Sequence, residues 1–295
     1  MIIINKVGEL RNYLDNLRKE QKTIGFVPTM GALHEGHLTL VKQSKTENNI
    51  TVCSIFVNPT QFNDPSDLAK YPRTLESDSL LLKDADCDVI FAPPVNEIYT
   101  REELSLKLKN VDDNSWKEGK HVDFGMLDKV MEGEHRPGHF NGVAQVVSKL
   151  FRIVQPDKAY FGQKDFQQLA IIRSMTKQLE LPVEIVSCPI IREPDGLAMS
   201  SRNTRLSETD RKAASLISAT LFKIKEYQDK LSFTELKQMA AKEIGKEPRM
   251  ELEYFEIADA DTLQPVANKA EAKSAVACIA LKLGEVRLID NVMLY

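Results

Sequence analysis

The chain has few cysteines, no long apolar run and no excess of basic residues. Its 295 residues include four widely separated cysteines, Cys53, Cys87, Cys188 and Cys278, without the paired spacing of a metal site. We therefore expect small, reduced core residues. No window approaches the roughly 20 apolar residues of a membrane span, and residues 1–4 are too short for the apolar part of a secretory signal. These features predict a soluble cytoplasmic protein.

The charge balance is slightly acidic, with a formal net charge of −4 and a pI near 5.9. A nucleic-acid-binding surface normally shows a basic excess, so we expect no nucleic-acid partner. An acidic chain can still form a local basic pocket, so the net charge is compatible with a small anionic substrate.

Apolar runs alternate with helical patterns in the first part of the chain. The predicted strands cover residues 23–27, 50–57, 88–92, 158–161 and 183–187. They are continuously apolar, as strands buried on both faces are. The predicted helices between them cover residues 38–46, 67–85, 142–154 and 166–179. This order predicts an α/β fold, with a doubly wound parallel sheet over residues 1–188.

Two regions do not follow the alternation of strands and helices: the part after residue 188, and residues 101–129. Helical segments starting at 207 and 232 precede strand-like runs 252–257, 275–283 and 286–289, the last two joined by a predicted hairpin at Gly284. This order predicts a smaller α+β domain over residues 189–295. Residues 101–129 are densely charged, and we expect them to form a solvated surface excursion.

Residues 28–37, with the sequence PTMGALHEGH, form the most informative segment. A strand that ends at Pro and Gly and leads into a helix leaves free N–H groups at a helix N-terminus, which suits an anion. His34 and His37 add donors at a phosphate. Their i, i+3 spacing with Gly36 between them disfavours zinc, since the metallohydrolase signature needs i, i+4 on a helix. The alternative is a pair of surface histidines.

Two later loops also carry groups that suit phosphate. Lys164 lies in residues 162–165, after a predicted strand, and its compact ammonium suits a polyphosphate. Residues 199–203, with the sequence MSSRN, supply two hydroxyls and a guanidinium. Ligands of a parallel sheet bind beyond the carboxyl ends of the strands, where these loops should meet. The alternatives are a solvated lysine and a plain linker.

Gln61 and Gln168 are neutral amides that can donate and accept hydrogen bonds but cannot act as bases. They indicate recognition of hydroxyl or carboxylate groups, and we expect Asn58 to brace the loop of Gln61. Residues 136–142 place a cation and an imidazole in a turn rich in Pro and Gly. This turn frames the site, contacts an anionic substrate or simply starts a helix, and the local sequence does not separate these interpretations.

Six motifs, in this order, closely resemble the pantothenate synthetase (pantoate–β-alanine ligase) family. They are PTMGALHEGH at 28–37, FVNPTQF at 56–62, YPRT at 71–74, RPGHFNGV at 136–143, FGQKDFQQ at 161–168 and MSSRN at 199–203. The HEGH element by itself indicates only the wider HIGH-motif nucleotidyltransferase superfamily, which has a Rossmann-like fold.

The resemblance implies a two-step, ATP-dependent reaction. The carboxylate of (R)-pantoate attacks the α-phosphate of ATP, with Mg²⁺, to give pantoyl adenylate and pyrophosphate. The amine of β-alanine then attacks the activated acyl carbon, giving pantothenate and AMP. The resemblance also implies a homodimer.

The resemblance further implies roles for individual residues. His37, the family's proton donor, would be catalytic with His34 and Lys164. Gln61 and Gln168 would hold pantoate, Gln61 would also lie near β-alanine, and Asp78 would lie near magnesium. The ATP-binding residues would be Met30, Gly31, Ala32, Leu33, His34, Glu35, Gly36, His37, Gly162, Gln163, Lys164, Asp165, Ile191, Met199, Ser200, Ser201 and Arg202.

Two other functions compete with this one. Another HIGH-type adenylating or nucleotidyl-transferring enzyme would share the first motif, but a synthetase fragment of that class would need an RNA-binding region. A non-catalytic nucleotide-binding module would explain the loops but not the convergence of two histidines, a lysine and paired amides.

Overall fold

A parallel sheet of six strands organises the first part of the chain. In this computed structural model, residues 1–62, 65–107 and 122–295 are described. The strands are β1 (Ile2–Ile4), β2 (Ile24–Thr29), β3 (Ile50–Ile55), β4 (Val89–Phe91), β5 (Lys158–Gly162) and β6 (Glu184–Cys188). They are all parallel and lie in the order β1-β4-β3-β2-β5-β6.

Helices cover both faces of this sheet. They are α1 (Val7–Lys19), α2 (Glu35–Glu47), α3 (Pro65–Lys70), α4 (Leu75–Asp84), α5 (Val95–Ile98), α6 (Arg101–Lys107), α7 (Glu132–His135), α8 (His139–Val154) and α9 (Phe166–Gln178). Successive strand residues point to opposite faces, so Phe26 belongs to one core cluster and Val27 to another. Because these strands are buried on both faces, their sequences are continuously apolar. The predicted doubly wound fold is confirmed.

The strand order changes direction between the neighbouring strands β2 and β5. From β2 the chain proceeds through β3 to β4, and from β5 it proceeds to β6 on the other side. Ligands of such sheets bind at this switch point, beyond the carboxyl ends of the strands. His34 and His37 lie where the loop after β2 leads into α2, and Lys164 lies in the turn after β5.

The C-terminal part is a small α+β unit with its own core. Helices α10 (Glu208–Ala213), α11 (Ser215–Tyr227) and α12 (Phe233–Ile244) precede the antiparallel strands β7 (Met250–Asp259), β8 (Ala275–Leu283) and β9 (Val286–Met293). Helices α11 and α12 pack with these strands in one hydrophobic cluster. Gly284 turns the β8–β9 hairpin with φ +56°, as predicted. A boundary between residues 188 and 189 stays a prediction.

The fold differs from the sequence expectations at the N-terminus and at one helix. The run Ile2–Ile4 is an edge strand beside β4, and α1 follows it; neither was predicted. The helix predicted over residues 67–85 is two helices, α3 and α4. Pro72 lies between them, and proline disfavours helical backbone in the preceding residue while removing its own N–H donor.

The prediction of a solvated excursion over residues 101–129 is wrong at its end. Val122 and Phe124 are 0% and 4% exposed and belong to the main core cluster. Residues 108–121 of this stretch lie outside the described part of the chain. Cys53, Cys87, Cys188 and Cys278 are buried and unpaired, as expected. Among the described helices, none combines the length and apolar character needed to span a membrane.

Candidate active site

The loop after β2 is held in a left-handed turn by a buried carboxylate. Gly31 and Ala32 have φ of +83° and +51°, a region that costs a residue with a side chain about 1–2 kcal/mol. Asp78 of α4 is 1% exposed, and it accepts hydrogen bonds from the N–H groups of Ala32 at 3.0 Å and Leu33 at 2.8 Å. The turn is therefore fixed before any ligand arrives.

His34 and His37 lie at the start of α2, with ring centroids 4.1 Å apart. The His34 N–H donates to His37 Nδ1 at 3.3 Å, so a neutral His37 ring carries its proton on Nε2. Burial, then the nearby His34 and Lys164 charges, lower the pKa of His37 to about 3. Burial, then Lys164, lower the pKa of His34 to about 4. Both imidazoles are neutral at neutral pH.

Lys164 lies on the short turn between β5 and α9, and its side chain is half-buried. The Gln163 N–H donates to Cys188 O at 2.8 Å, which ties this turn to the end of β6. Among the described residues, neither Lys164 nor Arg202 forms an ion pair. Both cations therefore remain available to an anionic ligand.

The segment from Ile191 to Asn203 forms a third wall. The Met199 N–H donates to Ile191 O at 2.9 Å, and the Arg202 N–H donates to Ser200 Oγ at 3.3 Å. Asn203 Nδ2 donates to Ala198 O at 3.1 Å. These bonds give the MSSRN segment a defined backbone path, which a plain linker would lack.

Gln61 presents an amide whose donor is weakly engaged. Its Oε1 accepts from Asn58 Nδ2 at 3.1 Å, and its Nε2 meets the sulfur of Met30 at 2.9 Å. A thioether is a weak acceptor, so a ligand oxygen can replace it. Asn58 Nδ2 also donates to Gly142 O at 3.0 Å, and this contact confirms that Asn58 braces the loop.

The turn at residues 136–142 frames the site and starts α8. His139 Nδ1–H donates to Gln61 O at 2.9 Å, and His139 Nε2 accepts from Arg136 Nη1 at 3.1 Å. Burial, then the Arg136 charge, lower the pKa of His139 to about 3. Gly142 lies so close to the loop that a Cβ would come 2.4 Å from Thr60 O. These contacts favour the framing interpretation among the three that the sequence left open.

Most of the predicted site residues share one cavity of about 230 Å³. Those that line it are Met30, His34, Gly36, His37, Gln61, Gly162, Lys164, Asp165, Gln168, Ile191, Met199, Ser200, Ser201 and Arg202. An adjoining cavity of about 430 Å³ shares Lys164, Asp165, Gln168, Ser200 and Arg202 with it. Residues from the segments after β2 and β5 and from the segment between β6 and α10 thus converge on two adjoining cavities.

Other predicted site residues do not line the first cavity: Gly31, Ala32, Leu33, Glu35, Gln163 and Asp78. Leu33 is buried in the core, and the Glu35 carboxylate pairs with Lys42 at 2.7 Å. Asp78 Oδ1 and Oδ2 are taken up by loop N–H groups. Within the described residues, no group of three or more His, Cys, Asp or Glu is arranged to hold a metal ion. Asp78 is 1% exposed and does not line the first cavity, so its carboxylate does not fit a magnesium ion bound there.

Sequence reasoning missed the part of the site that β9 contributes. Asn291 donates to the backbone of Gln163 and Lys164, and Asp290 binds Arg192. No motif marked these positions, because each is an ordinary polar residue in a strand near the C-terminus. Sequence reasoning also missed the apolar wall of Val143, Val146, Val147 and Leu150, which is the inner face of α8.

The fold and the site together define a Rossmann-like enzyme of the HIGH-motif class, with paired histidines on the first βα turn. The chain belongs to the pantoate-beta-alanine ligase family, since the model of that family matches residues 2–293. It is 51% identical over 292 residues to pantothenate synthetase from Bacteroides thetaiotaomicron, covering 99% of this chain and 98% of that protein.

Solved structures agree with this assignment. The pantothenate synthetase of Thermus thermophilus has a TM-score of 0.89 at 40% identity, with 100% of both chains covered. The pantoate-beta-alanine ligase of Francisella tularensis, complexed with beta-gamma ATP and beta-alanine, has a TM-score of 0.75 at 35% identity. That comparison covers 99% of this chain and 97% of the other. The likeness extends over both parts of the chain.

Proposed function

We propose that this protein condenses (R)-pantoate with β-alanine through a pantoyl-adenylate intermediate. A carboxylate oxygen of pantoate attacks the α-phosphorus of ATP, and the bond to the pyrophosphate oxygen breaks. The β-alanine nitrogen then attacks the acyl carbon, loses a proton and displaces AMP. The observation that carries the proposal is the convergence of His34, His37, Lys164, Gln61 and Gln168 on one cavity.

ATP would lie along the two connected cavities, between the loops after β2 and β5 and the MSSRN segment. The α-phosphate gains negative charge as pantoate attacks, and preorganised cations and N–H donors stabilise that charge more than the ground state. Lys164 and Arg202 suit this role because the described part of the chain offers them no ion-pair partner. Holding pantoate beside ATP adds the effect of proximity.

Pantoate would occupy the part of the cavity next to α8. The molecule has a hydroxy acid at one end and two methyl groups on a central carbon. Gln61 and Gln168 offer amide groups to its oxygens, and the apolar wall of α8 suits the methyl groups. Gln61 would also lie near the amine of β-alanine.

We assign His37 an electrostatic role. Its neutral ring, with the proton on Nε2, acts as a hydrogen-bond donor and not as a general acid. Replacing such a donor with alanine typically slows a reaction about 10²–10³-fold. A glutamine in His37→Gln keeps an N–H donor, so we expect it to retain at least about tenfold more adenylation than His37→Ala. Equal losses in pyrophosphate exchange would contradict this role.

Magnesium would enter with ATP as part of the substrate. Mg²⁺ commonly keeps several waters and binds substrate phosphates with only one or two carboxylates. Asp78 does not suit it, because both of its oxygens already accept hydrogen bonds from the loop. Hence we assign Asp78 to the support of the ATP loop.

The C-terminal domain, residues 189–295, would close over the site formed by residues 1–188. Glu132 of α7 supports this, because its carboxylate accepts from Arg287 at 2.8 and 2.6 Å and from the Tyr254 hydroxyl at 2.9 Å. These bonds join the two parts beside the larger cavity. Glu132→Gln removes the charge and one of the two acceptor oxygens, so it should raise the protease sensitivity of the enzyme.

The expected homodimer and cytoplasmic location belong to the same proposal and rest on the family alone. A chain of 33.3 kDa should give a particle of twice that mass in light scattering. A monomer mass at assay concentration would remove the dimer from the proposal.

One assay tests the reaction against its two rivals. We expect pantoate-dependent exchange of labelled pyrophosphate into ATP, followed by AMP release when β-alanine is added. Exchange that depends on a different acid or on tRNA would indicate another HIGH-type enzyme. ATP binding without exchange would indicate a nucleotide-binding module and refute the ligase.

A further inference from the structure

The C-terminal strand β9 holds the turn that carries Lys164. Asn291 is 2% exposed, and its Nδ2 donates to Gln163 O at 3.0 Å and to Lys164 O at 2.9 Å. Both acceptors are carbonyls, so only a side chain with two N–H donors serves both. The carboxylate of an aspartate would be repelled by them.

The two hydrogen bonds from Asn291 help to fix the position of the Lys164 ammonium. A lysine side chain is long and flexible, so its charge is well placed only if its backbone is fixed. The bond from the Gln163 N–H to Cys188 O also holds the Gln163–Lys164 turn. Asn291 supplies two more from a strand over 120 residues away in sequence.

Strand β9 is in turn fixed to the third wall of the site. Arg192 donates to both carboxylate oxygens of Asp290, at 2.6 and 3.0 Å, and to Asn291 O at 3.2 Å. The Asp290 side chain is 1% exposed and that of Arg192 17%, so solvent screens this pair little. Arg192 also pairs with Ala198, just before Met199. Two adjacent residues of β9 therefore hold two separate walls of the site in one arrangement.

We propose that Asn291 is a positioning residue for adenylate formation, which it serves by holding the Lys164 ammonium against the phosphates of ATP. The inference rests on the proposed function. The effect should differ between the two chemical steps, because pyrophosphate leaves and negative charge builds up at the α-phosphorus only in the first step, whereas in the second step AMP leaves from the acyl carbon. Loss of Asn291 should therefore slow adenylation more than the attack by β-alanine.

The test compares Asn291→Asp, Asn291→Ala and Asn291→Ser with the unaltered enzyme. The first step is measured as pantoate-dependent pyrophosphate exchange. The second is measured in a single turnover, by adding β-alanine to enzyme that already holds pantoyl adenylate. Displacing a catalytic group by about 1 Å costs roughly 10²-fold, so we expect exchange to fall tenfold or more, on the order of that limit, in Asn291→Asp and Asn291→Ala. Asn291→Ser has a hydroxyl one bond shorter than the Asn291 Nδ2, which meets the two carbonyls at 3.0 and 2.9 Å, so its exchange should fall as in Asn291→Ala.

The second step should slow less than the first. The KM for pantoate should stay within about threefold of the unaltered enzyme, because the groups proposed to hold pantoate are Gln61, Gln168 and the inner face of α8. The matched control is Val292→Ala, whose side chain lies in the C-terminal core beside Asn291. This variant should lower Tm, yet it should leave the ratio of the two rates unchanged. It separates a general loss of stability from a loss of positioning.

Several outcomes would overturn the inference. Equal slowing of both steps in the Asn291 variants would make the role merely structural, and unaltered exchange in folded Asn291→Asp would remove it. If Asn291→Asp does not fold, Asn291→Ser carries the same comparison. Failure of the unaltered enzyme to exchange pyrophosphate would refute the proposed function itself, so the two failures are distinguishable.

Discussion

Replacing Asp78 with asparagine tests how the ATP loop is held. The buried Asp78 carboxylate accepts from the N–H groups of Ala32 and Leu33. Its Oδ2 also accepts from the Thr74 hydroxyl at 3.1 Å. In Asp78→Asn, an NH₂ group replaces one oxygen and faces a backbone N–H that has lost its acceptor. The charge that strengthened the remaining bond is lost as well.

The structure sets the size of the effect. A buried N–H left without an acceptor costs about 1–3 kcal/mol, and a charged acceptor is worth about 1 kcal/mol more than a neutral one. The sum is about 2–4 kcal/mol. At roughly 2–4 °C per kcal/mol for a chain of this size, Tm should fall by about 4–16 °C. The released loop leaves its left-handed turn part of the time, so the KM for ATP should rise about tenfold, which corresponds to about 1.4 kcal/mol.

The assay measures Tm by circular dichroism and the KM for ATP by pyrophosphate exchange at several magnesium concentrations. Asp84→Asn is the matched control, since Asp84 is exposed on the same helix, and it should leave both values unchanged. Because the expected defect lies in the loop, raising magnesium should not repair it. An unchanged Tm together with a KM restored by magnesium would refute this reasoning and make Asp78 a metal ligand.

Two further predictions concern the turn at residues 136–142. In Gly142→Ala the new methyl meets the backbone at Thr60 and Gln61, so stability should fall by about 1–3 kcal/mol and the KM for pantoate should rise. Gly8→Ala, with no described atom within 4 Å, is the control, and an unaltered KM in Gly142→Ala would contradict the contact. The pKa of His139 is about 3 when folded, against 6.5 for the free group; its stabilising effect is therefore present above pH 6.5 and is lost as pH falls toward 3. His139→Gln should flatten the fall of Tm between about pH 6.5 and 4.5, and an equally steep fall would count against the buried neutral ring.

Local patterns in the sequence were enough to predict the fold class. The run at residues 275–283 coincides with β8, and that at 158–161 falls one residue short of β5. Burial on both faces requires continuous apolar residues, and a few consecutive residues of the sequence are enough to detect that pattern. The pattern fails where it is too brief, as at Ile2–Ile4, because three apolar residues are also compatible with a loose end. Proline at position 72 was visible as well, but its effect on the helix 67–85 was missed.

The sequence also predicted which loops form the site, because the ends of parallel strands meet at one edge. The histidines after β2 and the lysine after β5 follow that rule, and their residue types indicate that they suit phosphate. What each residue does there stays a prediction until the variants are measured.

The partners of the polar side chains depend on the packing of distant segments, which no sequence pattern showed. Asp78 has the chemistry of a metal ligand, yet its oxygens point to the loop at Ala32 and Leu33. His139 supports Gln61 from 78 positions away, and Asn291 supports Lys164 from 127 positions away. Periodicity and composition record the local environment of the backbone. The direction of a hydrogen bond between distant segments depends on how the sheets and helices pack, which no short window contains.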